Sequence, residues 1–244
     1  MLDLCAAGLL VDGVDSSFDM VEGCREEAER RGLVVEVHHQ RVEDLMLERR
    51  YAWIYFAGPT VNLLADDETA LRGLGSIHAH LTNDGAALIP LWVPVPTPTQ
   101  ELGVTRSTSD VAGTELGYTP LTETYDRERR TRTTTCRYER TTPAGTEVAD
   151  RQWTIHWHTP PSFRLLCEEA GLEIAGLVDD DTNKPPSETT ATSTAILRRL
   201  DRQAGRAVRL DDERHLHLVG RIGGVVGPLS GNAAGKRSDQ CRPR

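Results

Sequence analysis

Long apolar runs are absent from these 244 residues, and no stretch of about 18 could serve as a membrane span. The opening MLDLCAAGLLVDG is short, has no basic n-region and carries Asp3 and Asp12, so it is not expected to be a secretory signal peptide. Cysteine is sparse: Cys5, Cys24, Cys136, Cys167 and Cys241 never form a C-x-x-C pair. That argues against a zinc ribbon or a disulfide scaffold and suits a reduced, cytoplasmic setting. An excess of positive charge is missing as well. The net charge is −9, and residues 201–244 carry nine Lys/Arg against five Asp/Glu, leaving the first 200 residues at −13. So acidic a body is a poor polyanion binder, and a nucleic-acid partner is not expected. Early glycine is lacking too: Gly8 is the sole glycine before Gly13.

What is present is a rhythm. The pattern predicts a short buried strand over residues 9–14. Ser16 or Ser17 can cap the helix that follows, with Asp19 and Glu22 in its first turn, Val21, Cys24 and Ala28 inside, and Gly32 as its stop. Residues 33–37, rich in valine, form the next strand. A second cycle starts at YAWIYFA (51–57), an apolar run suited to a parallel strand covered on both faces. It continues with Asp66, Asp67 and Glu68 at a helix start and a Leu71, Leu74, Ile77, Leu81 stripe. The turn signal Asn83-Asp84-Gly85 then leads to a buried strand at 86–93. This alternation predicts an α/β fold with a doubly wound parallel sheet.

Residues 94–118, dominated by Pro, Thr, Ser and Gly, read as a loop or cover. Beyond them, residues 121–140 and 147–158 read as antiparallel, with PAG at 143–145 as their turn. Trp153, Ile155 and Trp157 share one strand face, and Thr154, His156 and His158 the other. Pro160-Pro161 ends that strand, Ser162 can cap a helix with Phe163, Leu166 and Ala170 inside, and residues 172–178 and 194–200 complete a domain spanning 1–200. Residues 201–244 read as a disordered tail.

Asp15 is the first candidate for chemistry. At the carboxyl end of a strand its carboxylate can accept from paired ribose hydroxyls, and capping the next helix is the alternative role. Met20 could flank an adenine face or pack in the core. Gln40, Arg41 and Val42 follow the second strand, with Glu43 and Asp44 as a solvated acidic turn. Ala57 and Gly58 follow the third, where glycine permits close backbone approach to a ligand. His78-x-His80 diverge on a helix and cannot chelate. His156-x-His158 share a strand face but lack an obvious third ligand, so a general base is a better reading than a metal site. The tail segment HLHLVGRIGGVVG (215–227) looks like a strand running into glycines. Its glycines miss the G-x-G-x-x-G spacing and no helix-forming run follows, so it reads as a decoy.

The ordered segments AAGLLVDGVDSSFDMVEGCREEAERRGL, HHQRVEDL, YAWIYFAGPTVNLL and LTNDGAALIPLWVP resemble the class I S-adenosylmethionine-dependent methyltransferases, and more closely the small-molecule branch. RQWTIHWHTPPSFRLLCEEAGLEI is similar to that family's antiparallel C-terminal hairpin region with its last helix. The likeness covers residues 6–180. It implies a Rossmann-like seven-stranded sheet with one antiparallel strand, S-adenosyl-L-methionine as cofactor, and methyl transfer to a small-molecule acceptor by in-line attack. It also implies cofactor-holding positions at Asp15, Ser16, Met20, Gln40, Arg41, Val42, Ala57 and Gly58, and no metal. It carries over no catalytic residue, and homo- or hetero-dimerisation stays open.

Two departures stand out. Arg41 occupies a position where the family has an acidic acceptor, so that contact must come from a backbone carbonyl or Asp44. The family's first strand and its glycine-rich loop have no counterpart ahead of Asp15, and residues 1–8 read as the end of the first helix. The expectation is therefore a sheet lacking its central first strand, with unpaired edges at 9–14 and 51–57. On that reading the chain is an N-terminally truncated methyltransferase that binds cofactor weakly unless a partner or residues 1–8 fill the gap. The alternative is a non-catalytic, methyltransferase-like subunit that stabilises a partner. A nicotinamide-dependent oxidoreductase is opposed by the antiparallel strands after residue 118.

Overall fold

The computed structural model describes residues 1–110, 113–187 and 190–200, together with the backbone of 218–220. The first cycle forms as its pattern predicts. Residues 1–8 begin with a helix, α1 (Leu2–Ala6), that ends near Gly8 at φ +86°. β1 (Val11–Asp15) is buried throughout and leads into α2 (Phe18–Arg30), capped by Ser17 through its Oγ and the Met20 N–H. Val21, Cys24 and Ala28 are its buried residues. β2 (Glu36–His39) starts later than the valine run predicts and pairs parallel with β1.

β3 (Tyr51–Tyr55), α3 (Asp67–His80) and β4 (Leu81–Trp92) make the second cycle. Asp66 caps α3 by accepting the Thr69 N–H, the role its position predicts. Asn83-Asp84-Gly85 is not a turn but part of β4. Gly85 serves close approach: a Cβ there would lie 2.8 Å from the Tyr51 carbonyl oxygen, where the β3–β4 register shifts.

Seven strands form one sheet in the order β2-β1-β11-β3-β4-β10-β9. β9 (Leu172–Asp179) and β10 (Thr192–Arg199) finish its far side, and β10 runs antiparallel to both neighbours. α4 (Pro160–Glu169) precedes β9; its cap is Thr159, not Ser162, and the two prolines open the helix, where a missing N–H costs nothing.

The central position corrects the expectation of a missing strand. β11 (Leu218–Gly220) lies between β1 and β3, parallel to both, with Val11 opposite Leu218, Gly13 opposite Gly220, and Trp53 opposite Leu218. Buried inner edges on β1 and β3 leave N–H and C=O groups that need partners, and a segment distant in sequence supplies them. The expected disordered tail thus contributes three residues to the sheet; its other residues lie outside the described ones.

A second sheet of four antiparallel strands follows the order β5-β6-β7-β8: β5 (Arg106–Ser109), β6 (Glu115–Asp126), β7 (Thr131–Thr142) and β8 (Gly145–His156). The stretch expected to be loop therefore contains β5 and the start of β6. The stretch 121–140 is two strands, folded back at Asp126–Arg130, where the Asp126 carboxylate accepts the Arg129 N–H and Arg130 takes φ +55°.

The main core lies between the larger sheet and α3 and α4, around Tyr51, Leu74, Ile89, Phe163 and Leu197. One polar contact is built into it. The buried Tyr51 hydroxyl donates to Asp12 Oδ2 at 2.7 Å, and Arg49 approaches the same carboxylate at 3.3 Å. Tyr51→Phe leaves that buried carboxylate short of a donor and is expected to cost about 1–3 kcal/mol, read from the urea midpoint at constant slope. Cys167, on the inner face of α4, is fully buried, and burial pushes its thiol up to about 12. Iodoacetamide should label it only after unfolding, as followed by peptide mass; labelling of the native protein would show that α4 opens.

Candidate active site

The carboxyl ends of β1, β2 and β3 point to one rim because the three strands are parallel within one sheet. Side chains there enclose a cleft of about 340 Å³, a size suited to a small ligand or part of a cofactor. Its walls are largely apolar: Val14, Val42, Leu45, Ile54, Phe56 and Ile77. Asp15, Ser16, Gln40, Arg41, Glu43 and Thr60 supply its polar groups, with Tyr55 beside them.

Asp15 sits at the last position of β1 and is 2% exposed. Its Oδ1 accepts the Ser17 N–H at 2.9 Å, so the carboxylate both steadies the start of α2 and lines the cleft. Ser17, and not Asp15, is the N-cap of α2. Gln40 continues the β1–β2 pairing by donating its N–H to the Asp15 carbonyl at 3.1 Å. Its side chain clasps Met46 in both directions, accepting the Met46 N–H at 2.8 Å and donating to the Met46 carbonyl at 3.1 Å, which closes the 40–46 segment on itself. Within that segment Val42–Asp44 form a single 3-10 turn.

That turn corrects the reading of Glu43 as solvated. Glu43 is buried, lines the cleft, and accepts from Arg41 Nε at 2.6 Å. An acidic group does stand at the cleft wall, two residues beyond Arg41. Asp44, the acceptor expected in its place, pairs instead with Arg72. Only the 3-10 turn reverses which of the two faces inward, and alternation along an extended chain would not show it. Thr60 lies in the cleft wall, and its buried Oγ1 has no hydrogen-bond partner among the described residues.

The cleft therefore gathers Asp15, Ser16, Gln40, Arg41 and Val42. It does not gather Met20, which faces a separate depression beside Met1, Leu2 and Cys24, nor Ala57 and Gly58, which follow the Phe56 that does line it. Gly58 has φ +62°, the backbone freedom read from its turn.

A second polar cluster joins the end of the four-stranded sheet to α3. His156 ends β8, His158 follows it by two, and their rings meet edge to face at 4.8 Å between centroids. Asp67, the first residue of α3, approaches both imidazoles at 3.6 Å. Arg130 pairs with the Asp67 carboxylate and donates to His158 Nδ1 at 3.2 Å. Burial, the neighbouring His156 and the Arg130 charge hold the His158 imidazole down at about 4, and burial lowers His156 too, which makes both weaker bases than a free imidazole. Asp67 is the third partner that the sequence did not reveal, 89 residues upstream of His156. The aromatic residues nearby serve packing: Trp157 stacks on Tyr125 at 4.9 Å, and Arg132 lies 4.7 Å over Trp92. His80 is a separate structural group, accepting the Leu47 N–H at 3.0 Å.

No family model and no curated protein matches the sequence. Solved structures do match the fold. An S-adenosylmethionine-dependent methyltransferase from Clostridium acetobutylicum superposes with TM-score 0.65 at 14% identity, over 80% of this chain and 77% of that one. The fold is that of the class I methyltransferases. The CcbJ methyltransferase from Streptomyces caelestis gives TM-score 0.63 at 17% identity, over 80% and 77% of the two chains. CalS10, an amino pentose methyltransferase from Micromonospora echinaspora with S-adenosylmethionine bound, gives 0.53 at 15% identity, over 80% and 87%. Within this methyltransferase fold the single antiparallel strand falls at β10, as the resemblance implies, and the cleft lies at the rim where such sheets bind ligands.

Proposed function

We propose that this chain is an S-adenosylmethionine-dependent methyltransferase acting on a small-molecule acceptor. The observation that carries the reading is the buried Asp15 carboxylate at the end of β1, facing an apolar-walled cleft in a methyltransferase fold. The donor set fits the adenosine half of the cofactor. Asp15 and Ser16 would take the ribose hydroxyls, and Val42, Ile54 and Ile77 would sandwich the base. Glu43 or the Arg41 backbone would meet the adenine amino group, since a guanidinium has no acceptor. Ala57 and Gly58, beside Phe56, would border the amino-acid end. When bound, the cofactor supplies an electrophilic methyl group on a sulfonium. The chain's own part is to hold that group and an acceptor in line and to exclude water.

β11 is parallel to β1 and is followed by residues 221–244. They lie outside the described residues, so the fit rests on the adenosine half. The amino pentose methyltransferase among the structural neighbours supports a small acceptor, with the second sheet as cover for its pocket.

Calorimetric titration of the full chain with S-adenosyl-L-homocysteine tests the reading. Saturable one-site heat is expected. A Kd near 1 μM, about −8 kcal/mol, means both halves of the cofactor are held, whereas one near 1 mM, about −4 kcal/mol, means the adenosine half alone. No heat at several times that concentration rules the proposal out.

A further inference from the structure

We propose that Asp67, His156 and His158 form a site for one borderline transition-metal ion, zinc foremost, and that the Arg130 guanidinium occupies the place of that ion when it is absent. The three residues come from the start of α3, the end of β8 and the segment just beyond it. Asp67 Oδ1 is 3.6 Å from His156 Nε2 and 3.6 Å from His158 Nδ1, and all three donor atoms lie within 4.8 Å of one another. These separations are too long for hydrogen bonds. They are near the roughly 3.3–3.4 Å between neighbouring ligands around a tetrahedral zinc with bonds of about 2.0–2.1 Å. The two edges from Asp67 need a few tenths of an ångström, and the edge between the two histidine nitrogens, within the 4.8 Å span, needs on the order of an ångström to complete the triangle.

The surroundings suit an ion. Both imidazoles are buried while the Asp67 side chain is about half exposed (49%), so an ion has a path in and a solvent-facing position for a fourth ligand. Two imidazoles and one carboxylate favour zinc, cobalt or nickel over magnesium or calcium, which prefer oxygen cages. His156 Nδ1 and His158 Nε2, the ring nitrogens on the far side from Asp67, are buried without partners among the described residues, so the ion would be held without the outer hydrogen bonds that usually orient metal-bound imidazoles. The pocket already holds a cation: Arg130 bonds the Asp67 carboxylate and His158 Nδ1 together. Arg130 stands at the end of the β6–β7 turn, with its side chain partly exposed, so the guanidinium can swing to solvent when an ion displaces it. An ion there would pin the end of β8 to the start of α3. The proposal is independent of cofactor binding.

Metal-stripped full chain is titrated with Co²⁺, followed by its visible d–d absorption, and then challenged with Zn²⁺. One Co²⁺ per chain is expected, with the colour lost on adding zinc. Asp67→Asn should weaken binding at least about tenfold, since even outer-shell partners of metal ligands contribute that much. Arg130→Gln should tighten it by removing the competitor. Both positions reach solvent, and circular dichroism checks that each variant is folded. Absence of colour overturns the proposal. So does colour unchanged in Asp67→Asn, which would place the ion on other histidines such as His38 and His39, and so does weaker binding in Arg130→Gln.

Discussion

A chain ending at His217 is expected to lose cooperative unfolding. β11 is the shared neighbour of β1 and β3 at the centre of the larger sheet, with three residues of β1 and two of β3 in register with it. Its removal unpairs about five ladder positions inside the protein. Each lost bond costs about 1 kcal/mol net, and each buried group left without a partner about 1–3 kcal/mol. The total, on the order of 5–10 kcal/mol, matches the whole stability of a typical domain. A finer probe is Val219→Pro, which deletes one N–H in a central strand and leaves the rest of the segment. Urea titrations followed by circular dichroism should show a broad, early transition for the shortened chain and a clearly lowered midpoint for Val219→Pro. A sharp transition at the parental midpoint in both would mean that β1 and β3 satisfy each other without β11.

The second large effect is expected at Asp15. A carboxylate accepting from two hydroxyls makes charge-assisted bonds, each contributing about 1.5–3 kcal/mol. Asp15→Asn keeps the shape and one acceptor for the Ser17 N–H, so α2 should still start at the same place. It loses the charge and can satisfy only one ribose hydroxyl well. S-adenosyl-L-homocysteine should bind about 2–4 kcal/mol more weakly, roughly 30- to 1,000-fold in Kd, with little change in the urea midpoint. Equal affinity in parent and variant would remove Asp15 from the binding site.

Much of the first 93 residues was readable because each element there is local. α2 and α3 declare themselves by cap and stripe, β3 by an apolar run that both faces of a sheet require, and β1 by a short apolar stretch interrupted at Asp12 and Gly13. The failures have two causes: some depend on something distant, and others on a local turn that no glycine or proline marks. Asn83-Asp84-Gly85 has turn chemistry, but the Tyr51 carbonyl crowding Gly85 belongs to another strand. The β6–β7 reversal falls in charged Asp126–Arg130, with neither glycine nor proline to mark it, and an Asp126 side-chain contact supplies the turn instead. At the site, Asp15, Ser16, Gln40, Arg41 and Val42 were legible from their place after strands. Glu43 was misread because one 3-10 turn decides which of two adjacent acids points inward. Asp67 was seen only as a helix-start charge, since nothing in its neighbourhood names two histidines at and just beyond the end of a later strand.

The position of β11 also sets a timetable. Val11 and its central partner Leu218 are separated by about 200 residues of chain, and at 5–20 residues per second the ribosome takes roughly 10–40 s to produce the second after the first. Throughout that interval the nascent chain carries two sticky, half-built strands with nothing between them. Closing so large a loop is slow even after release. Synthesis of this protein should therefore lean on chaperones that shield open strand edges, and slowing translation should lengthen that exposure.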